Sequence, residues 1–65
     1  MKITVNAQDY EVASTTLAAV LLELKITKPA IATALNSVFV PREERRATTL
    51  SEGDRIEILA PMQGG

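Results

Sequence analysis

The side chains that usually carry chemistry are scarce in this sequence. There is no His and no Cys, so no imidazole base, thiol nucleophile or thiolate metal site is available, and no metal is expected. Three glycines in all leave no Gly-rich loop to cradle phosphates, and no cofactor bound by this chain is expected. Ser14, Ser37 and Ser51 fall at a helix start and in turns, where capping and turn formation account for them. Glu43-Glu44 beside Arg45-Arg46 reads as a solvated charge run. What remains is the ending "PMQGG": Pro61, Met62, Gln63, Gly64 and Gly65. Two glycines permit passage through a channel too narrow for side chains and close backbone approach to a partner's active site. The one chemical asset of such an arm is the Gly65 carboxylate, a poor electrophile until another protein activates it.

An arm of this kind needs a body to present it. Residues 2–6, "KITVN", alternate, with Ile3 and Val5 on one face, as in a half-buried strand. "NAQD" is a polar turn, and "YEVA" alternates again with Tyr10 and Val12 inward, so the first twelve residues read as a hairpin. The period then changes: Leu17, Val20, Leu21 and Leu24 share one helical stripe. Ser14 or Thr15 can supply the N-cap oxygen, Leu22 lies off the stripe, and Pro29 stops any helix from running far past Lys28. Two strands are expected over about 31–36 and 38–40, joined at Asn36-Ser37, where Asn tolerates the positive φ of a tight turn. After Pro41, residues 42–46 can form one helical turn, and "ATTL" reads as a short strand or extended link. "SEGD" is a turn signal. "RIEILA" is a last strand with Ile56 and Ile58 inward and Leu59 outward, closed by Pro61. The expected architecture is an α+β roll, a small mixed sheet packed on one main helix, with the last strand returning beside the first. Residues 1–60 form the domain and 61–65 a flexible C-terminal tail.

Composition narrows the functional class. A chain of 65 residues is one domain at most, and a domain this small buries only about 60% of its unfolded surface. With 46% hydrophobic residues but only Tyr10 and Phe39 aromatic, the core must be aliphatic. The net charge of −1, with bases mixed among acids and no stacking aromatics, argues against nucleic acid as a partner. No apolar run reaches the length of a membrane span and the N-terminus lacks a signal peptide's apolar region, so a cytoplasmic location with no membrane partner is expected. Leu59 and Phe39 are the candidate partner-binding residues. Leu59 is apolar, outward and next to the tail, and Phe39 points opposite Val38 and Val40. The alternative for Phe39 is that it completes the core.

Three segments resemble the ThiS family of sulfur carriers in thiamine biosynthesis, which are ubiquitin-like β-grasp proteins. "ALNSVFVPRE" (Ala34 to Glu43) is similar to the family's Ala-aliphatic-Asn-x-x-aliphatic-Val-Pro-Arg stretch. "EGDRIEIL" (Glu52 to Leu59) is similar to its Gly-Asp-x-aliphatic-x-aliphatic strand. Gly64-Gly65 resembles its terminus. Many members carry an aromatic shortly after Pro-Arg, where this chain has "EERR", and many end in three glycines, where it has Met62-Gln63 before the pair. The resemblance implies that a ThiF-type adenylyltransferase uses ATP to adenylate the Gly65 carboxylate. Sulfur from a cysteine desulfurase relay then converts it to a thiocarboxylate, and thiazole synthase accepts that sulfur. On this reading the chain is a protein cosubstrate, monomeric when free, and not an enzyme. Two alternatives stand beside it: a carrier for molybdopterin or another sulfur-transfer pathway, and a non-covalent β-grasp interaction module. The terminus also permits conjugation to lysines, as in ubiquitin.

Overall fold

In a computed structural model the structure describes residues 1–28 and 31–60. Along these, β1 (Lys2–Val5) and β2 (Gln8–Glu11) precede the helix α1 (Leu17–Glu23). Then come β3 (Ala32–Leu35), β4 (Val38–Val40), a 3-10 helix (Arg42–Ala47) and β5 (Arg55–Leu59). Among the described residues the five strands form one mixed sheet in the order β2-β1-β5-β3-β4. The last strand returns beside β1, as expected, running parallel to it and antiparallel to β3. This is the β-grasp fold.

The two hairpins obey one rule. Val5 pairs with Gln8 and Leu35 with Val38, so each loop has two residues. Both loop residues take positive φ: Asn6 (50°) and Ala7 (67°) in the first, Asn36 (50°) and Ser37 (72°) in the second. That is the primed turn whose twist matches the flanking strands. Both asparagines then reach β5. Asn6 Nδ2 donates to the Ile58 carbonyl (3.1 Å) and its Oδ1 accepts from Ile58 N–H (2.8 Å), so the side-chain amide continues the ladder that β1 has left. On the other side Asn36 Oδ1 accepts from Arg55 N–H (3.0 Å) and its Nδ2 donates to Asp54 (3.1 Å).

Alternation along the strands puts Ile3, Val5 and Ile56 on the inner face, where α1 contributes Leu17, Val20 and Leu21; all six are buried. Each such side chain contributes on the order of 1.5–3 kcal/mol by leaving water. Leu24 is only half-buried because α1 ends one residue earlier. Leu50, which no periodicity marked, completes the core. It is drawn in by the segment expected to be a short strand, which makes an isolated bridge, Thr16 to Thr49, flanked by Leu17 N–H to Thr48 and Leu50 N–H to Thr15.

The N-cap is Thr16, not Ser14 or Thr15: its hydroxyl accepts from Ala19 N–H. Ser14 is engaged elsewhere. Its hydroxyl donates to Glu23 (2.7 Å), and the same carboxylate accepts from the backbone N–H groups of Ala13 and Ser14. The Ser14 hydroxyl bond, then those backbone bonds, hold the Glu23 carboxyl below its ordinary pKa. At its other end α1 closes with Lys25 N–H to Leu22 and Ile26 N–H to Leu21, the paired bonds of a Schellman cap. Lys25 occupies its left-handed position (φ 61°), where glycine is usual.

The charge run after Pro41 is not wholly solvated. Arg45 is buried: its Nε donates to Thr33 Oγ1 (3.1 Å) and its Nη2 to the Ile31 carbonyl (2.8 Å), while Thr33 Oγ1 donates to the Val40 carbonyl (3.0 Å). The 3-10 helix turns this one arginine onto the inner side of β3, where hydrogen bonds replace the water it loses. No helix among the described residues is long and apolar enough to cross a membrane.

Two measurements probe these devices. Ala7→Gly and Lys25→Gly each relieve a left-handed residue and are expected to stabilise the protein by about 0.5–1 kcal/mol in chemical denaturation. Arg45→Ala strips hydrogen bonds from the Ile31 carbonyl and the Thr33 hydroxyl and is expected to cost about 2–3 kcal/mol. Arg45→Lys recovers only part of that, because an ammonium lacks the planar fork that reaches both acceptors.

Candidate functional site

A single helix covers one face of a sheet, and the outer face stays open. Its composition follows from the register. On the β1–β2 side the outward residues are polar: Lys2 pairs with Glu11 and Thr4 with Asp9. Asp9 accepts from the Thr4 hydroxyl (3.0 Å) and lies 3.8 Å from Lys2 Nζ. The N-terminal ammonium bonds Glu11 at 2.8 Å, and that hydrogen bond raises its pKa. On the other half apolar residues share the outward face with Arg55 and Glu57. Ala32 lies opposite Leu59, and Ala34 lies between Phe39 on one side and Glu57 on the other.

Leu59 is 72% exposed and Phe39 65%. They flank a shallow depression of about 180 Å³ floored by Ala32, Thr33 and Ala34. Phe39 therefore does not complete the core; Val40, its neighbour, is the residue of β4 that does. Small alanines on β3 create the depression, because the two larger side chains stand above them on the adjoining strands. The sequence placed Leu59 and Phe39 outward but left Ala32 and Ala34 unassigned. Counting back from the Asn36-Ser37 turn pairs Ala34 with Phe39 and was the signal that could have found the floor.

The platform is firm up to the last residues of β5. Asn6 holds the backbone of Ile58 from one side, and β3 pairs with Leu59 from the other. Pro61, Met62, Gln63, Gly64 and Gly65, the expected tail and the expected site of modification, lie outside the described residues. Among the described residues, no three His, Cys, Asp or Glu side chains group to hold a metal ion. What this face offers is a contact surface beside the end of the central strand.

If that surface does not serve the fold, removing its side chains leaves the fold intact. Phe39→Ala and Leu59→Ala are expected to change unfolding free energy by no more than about 0.5 kcal/mol. Val40→Ala on the same strand as Phe39 is expected to cost about 1–3 kcal/mol through the lost burial and the space it leaves.

Comparison with known proteins converges on one family. The model of the ThiS family matches residues 3–65. The chain is similar to the crystal structure of the thiamine biosynthesis protein ThiS from Geobacter metallireducens, with a TM-score of 0.85 and 32% identity over the whole of both chains. The solution structure of a thiamine biosynthesis protein from the same organism gives a TM-score of 0.77 at 32% identity, covering all of this chain and 88% of that one. A protein–protein complex of subunits 1 and 2 of molybdopterin-converting factor from Helicobacter pylori 26695 matches less well. Its TM-score is 0.61 at 27% identity, again over the whole of both chains. Comparison with curated proteins gave no match. With the family model covering all but the first two residues, and the fold and the open sheet face described above, the chain belongs to the ThiS family of β-grasp sulfur carriers.

Proposed function

We propose that this chain carries sulfur for thiazole formation in thiamine biosynthesis, on the carboxylate of Gly65. The observation that carries this reading is the family match running through residue 65, which takes in Gly64-Gly65. A ThiF-type adenylyltransferase supplies the ATP site. A Gly65 carboxylate oxygen attacks the α-phosphorus and pyrophosphate leaves. The acyl adenylate is electrophilic at its carbonyl carbon, so the terminal sulfur of a persulfide from a cysteine desulfurase relay adds there and AMP departs. A thiol then reduces the resulting acyl disulfide, freeing the thiocarboxylate and leaving the relay sulfur in a new disulfide. The resulting thiocarboxylate gives its sulfur to thiazole synthase. The chain is thus a cosubstrate rather than an enzyme, free as a monomer in the cytoplasm.

The outer sheet face has a role in the same scheme. An enzyme whose active site receives Gly64 and Gly65 must lie against the sheet where β5 ends. Leu59 and Phe39 stand there as exposed apolar side chains around a shallow depression, the kind of anchor that a partner's pocket takes up. Four residues, Ala60 to Gln63, separate the end of β5 from the glycines in sequence, and the glycines allow the backbone into a narrow channel. The likeness to the molybdopterin-converting-factor complex favours, as a second reading, a carrier of the same chemistry for that pathway. Co-purification with a thiazole synthase or with a molybdopterin synthase subunit separates the two.

Intact-mass measurement after incubation with the activating enzyme, ATP, cysteine, a desulfurase and a thiol reductant is expected to show the gain of an oxygen-to-sulfur exchange at Gly65. Deleting Gly65, or adding a residue after it, abolishes the gain. Leu59→Asp slows it by about tenfold or more, as loss of a central apolar anchor does. A tail-deletion variant that remains fully active would sink the proposal.

A further inference from the structure

The inner side of the molecule carries a second surface that the scheme above leaves unused. Between α1 and the 3-10 helix lies a groove of about 560 Å³. Leu21, Leu22 and Ile26 form its apolar floor, and Leu22 is 70% exposed. Lys28, Arg42 and Arg46 stand on the rim, with Glu43 the one carboxylate. Arg45, also in the wall, is already spent on Thr33 and Ile31. Four of the chain's seven Lys and Arg residues thus line this groove, against one of its eight Asp and Glu residues. On a chain of net charge −1 that is a local reversal of sign. Among the described residues, Lys28, Arg42 and Arg46 make no ion pair.

The groove and the outer patch lie on opposite sides of the sheet. Thr33, which Arg45 reaches, faces inward from β3, whereas Ala32 and Ala34 face outward from the same strand. A protein seated on Leu59 and Phe39 therefore leaves the groove open. Sulfur loading makes that separation useful, because the donor must reach the carrier while the activating enzyme holds its tail.

We infer that the groove between α1 and the 3-10 helix docks the sulfur-delivering protein, through an acidic segment of that partner bearing a leucine or similar aliphatic side chain. The inference rests on the carrier function proposed above. The apolar side chain covers Leu22, and the carboxylates meet Lys28, Arg42 and Arg46. Complementary charge of this kind raises the association rate and makes it sensitive to salt.

The test uses the full chain with the double substitution Arg42→Glu and Arg46→Glu, and separately Leu22→Asp. All three positions are exposed, and thermal melts confirm the fold. Thiocarboxylate formation is followed by intact mass with the activating enzyme and ATP in two arms, one supplied by desulfurase and cysteine with a thiol reductant, the other by free sulfide. Free sulfide needs no docking site. In the desulfurase arm each variant is expected to load about tenfold or more slowly than the unaltered chain, and the double variant to lose most of the salt dependence. In the sulfide arm both load at the normal rate. Normal loading of the variants by desulfurase overturns the inference, and so does an equal loss in both arms, which would assign the groove to the activating enzyme. Failure of the unaltered chain in both arms would instead overturn the carrier reading itself.

Discussion

The last strand of the chain is the middle strand of its sheet, and the other features are arranged around that fact. β5 sits at the centre because β1 flanks it in parallel and β3 in antiparallel fashion. The same two turns that build the hairpins also grip β5. Asn6 and Asn36 each take a left-handed conformation, which asparagine tolerates better than most residues, and each turns its side-chain amide onto the β5 backbone. Turn formation and central-strand capture are thus functions of the same two residues. The arrangement fixes where β5 ends: in the middle of the sheet, held at Ile58 by Asn6 on one side and at Leu59 by β3 on the other, and not at a loose edge.

A small domain with one helix has apolar surface to spare on one side only. α1 and Leu50 close the inner face, and the outer face must either be polar or serve a partner. This sheet divides the outer face. Its β1–β2 half carries paired charges, which suits exposure to water. Its β3–β4–β5 half carries Leu59 and Phe39 over two alanines. Phe39 is one of only two aromatics in the chain, in a domain whose size makes every buried side chain valuable. Leaving it exposed on an edge strand is a cost in stability and in the risk of edge pairing. The cost is understandable where the side chain is wanted for binding, and the position of Leu59 beside it points the same way.

Period and turn chemistry made most of this legible from sequence. Alternation marked β1 and β5 with the correct inward residues and the first hairpin with too long a turn, since Gln8 and Asp9, read as turn, belong to β2. The 3.6-residue stripe marked α1, and Asn36-Ser37 marked the β3–β4 turn. Leu59 could be placed outward from Glu57 alone. What escaped was set by tertiary pairing. Thr16 wins the N-cap because residues 15–17 pair with 48–50, a contact between segments more than thirty residues apart. Ser14 looks like a cap, but Glu23 reaches back from the last turn and claims it. Arg45 sits in a run of five charged residues with two other arginines, and only the pitch of the 3-10 helix decides which arginine turns inward. The family resemblance rested on "ALNSVFVPRE" and "EGDRIEIL", and the structure gives both segments a physical reading. The first is the β3–β4 hairpin with its asparagine turn, and the second is the tight turn at Gly53 (φ 87°) that feeds β5.

Arg45 also explains how two separate surfaces fit on so small a body. It is a buried cation whose partners are a hydroxyl and a carbonyl rather than a carboxylate, an arrangement that stabilises only while every donor is matched. Its role is positional. By anchoring the 3-10 helix to the inner side of β3, it holds Arg42, one turn earlier, and Arg46, the next residue, at the rim of the groove beside α1. The outer side of that same strand carries Ala32 and Ala34, the floor of the Leu59–Phe39 depression. One strand therefore separates an apolar contact surface from a cationic one, and the Arg45–Thr33–Val40 network keeps that separation rigid. A longer protein could place two such surfaces on different domains. Here the thickness of a single sheet separates them, with Arg45 bonded to Thr33 and Ile31 on its inner side.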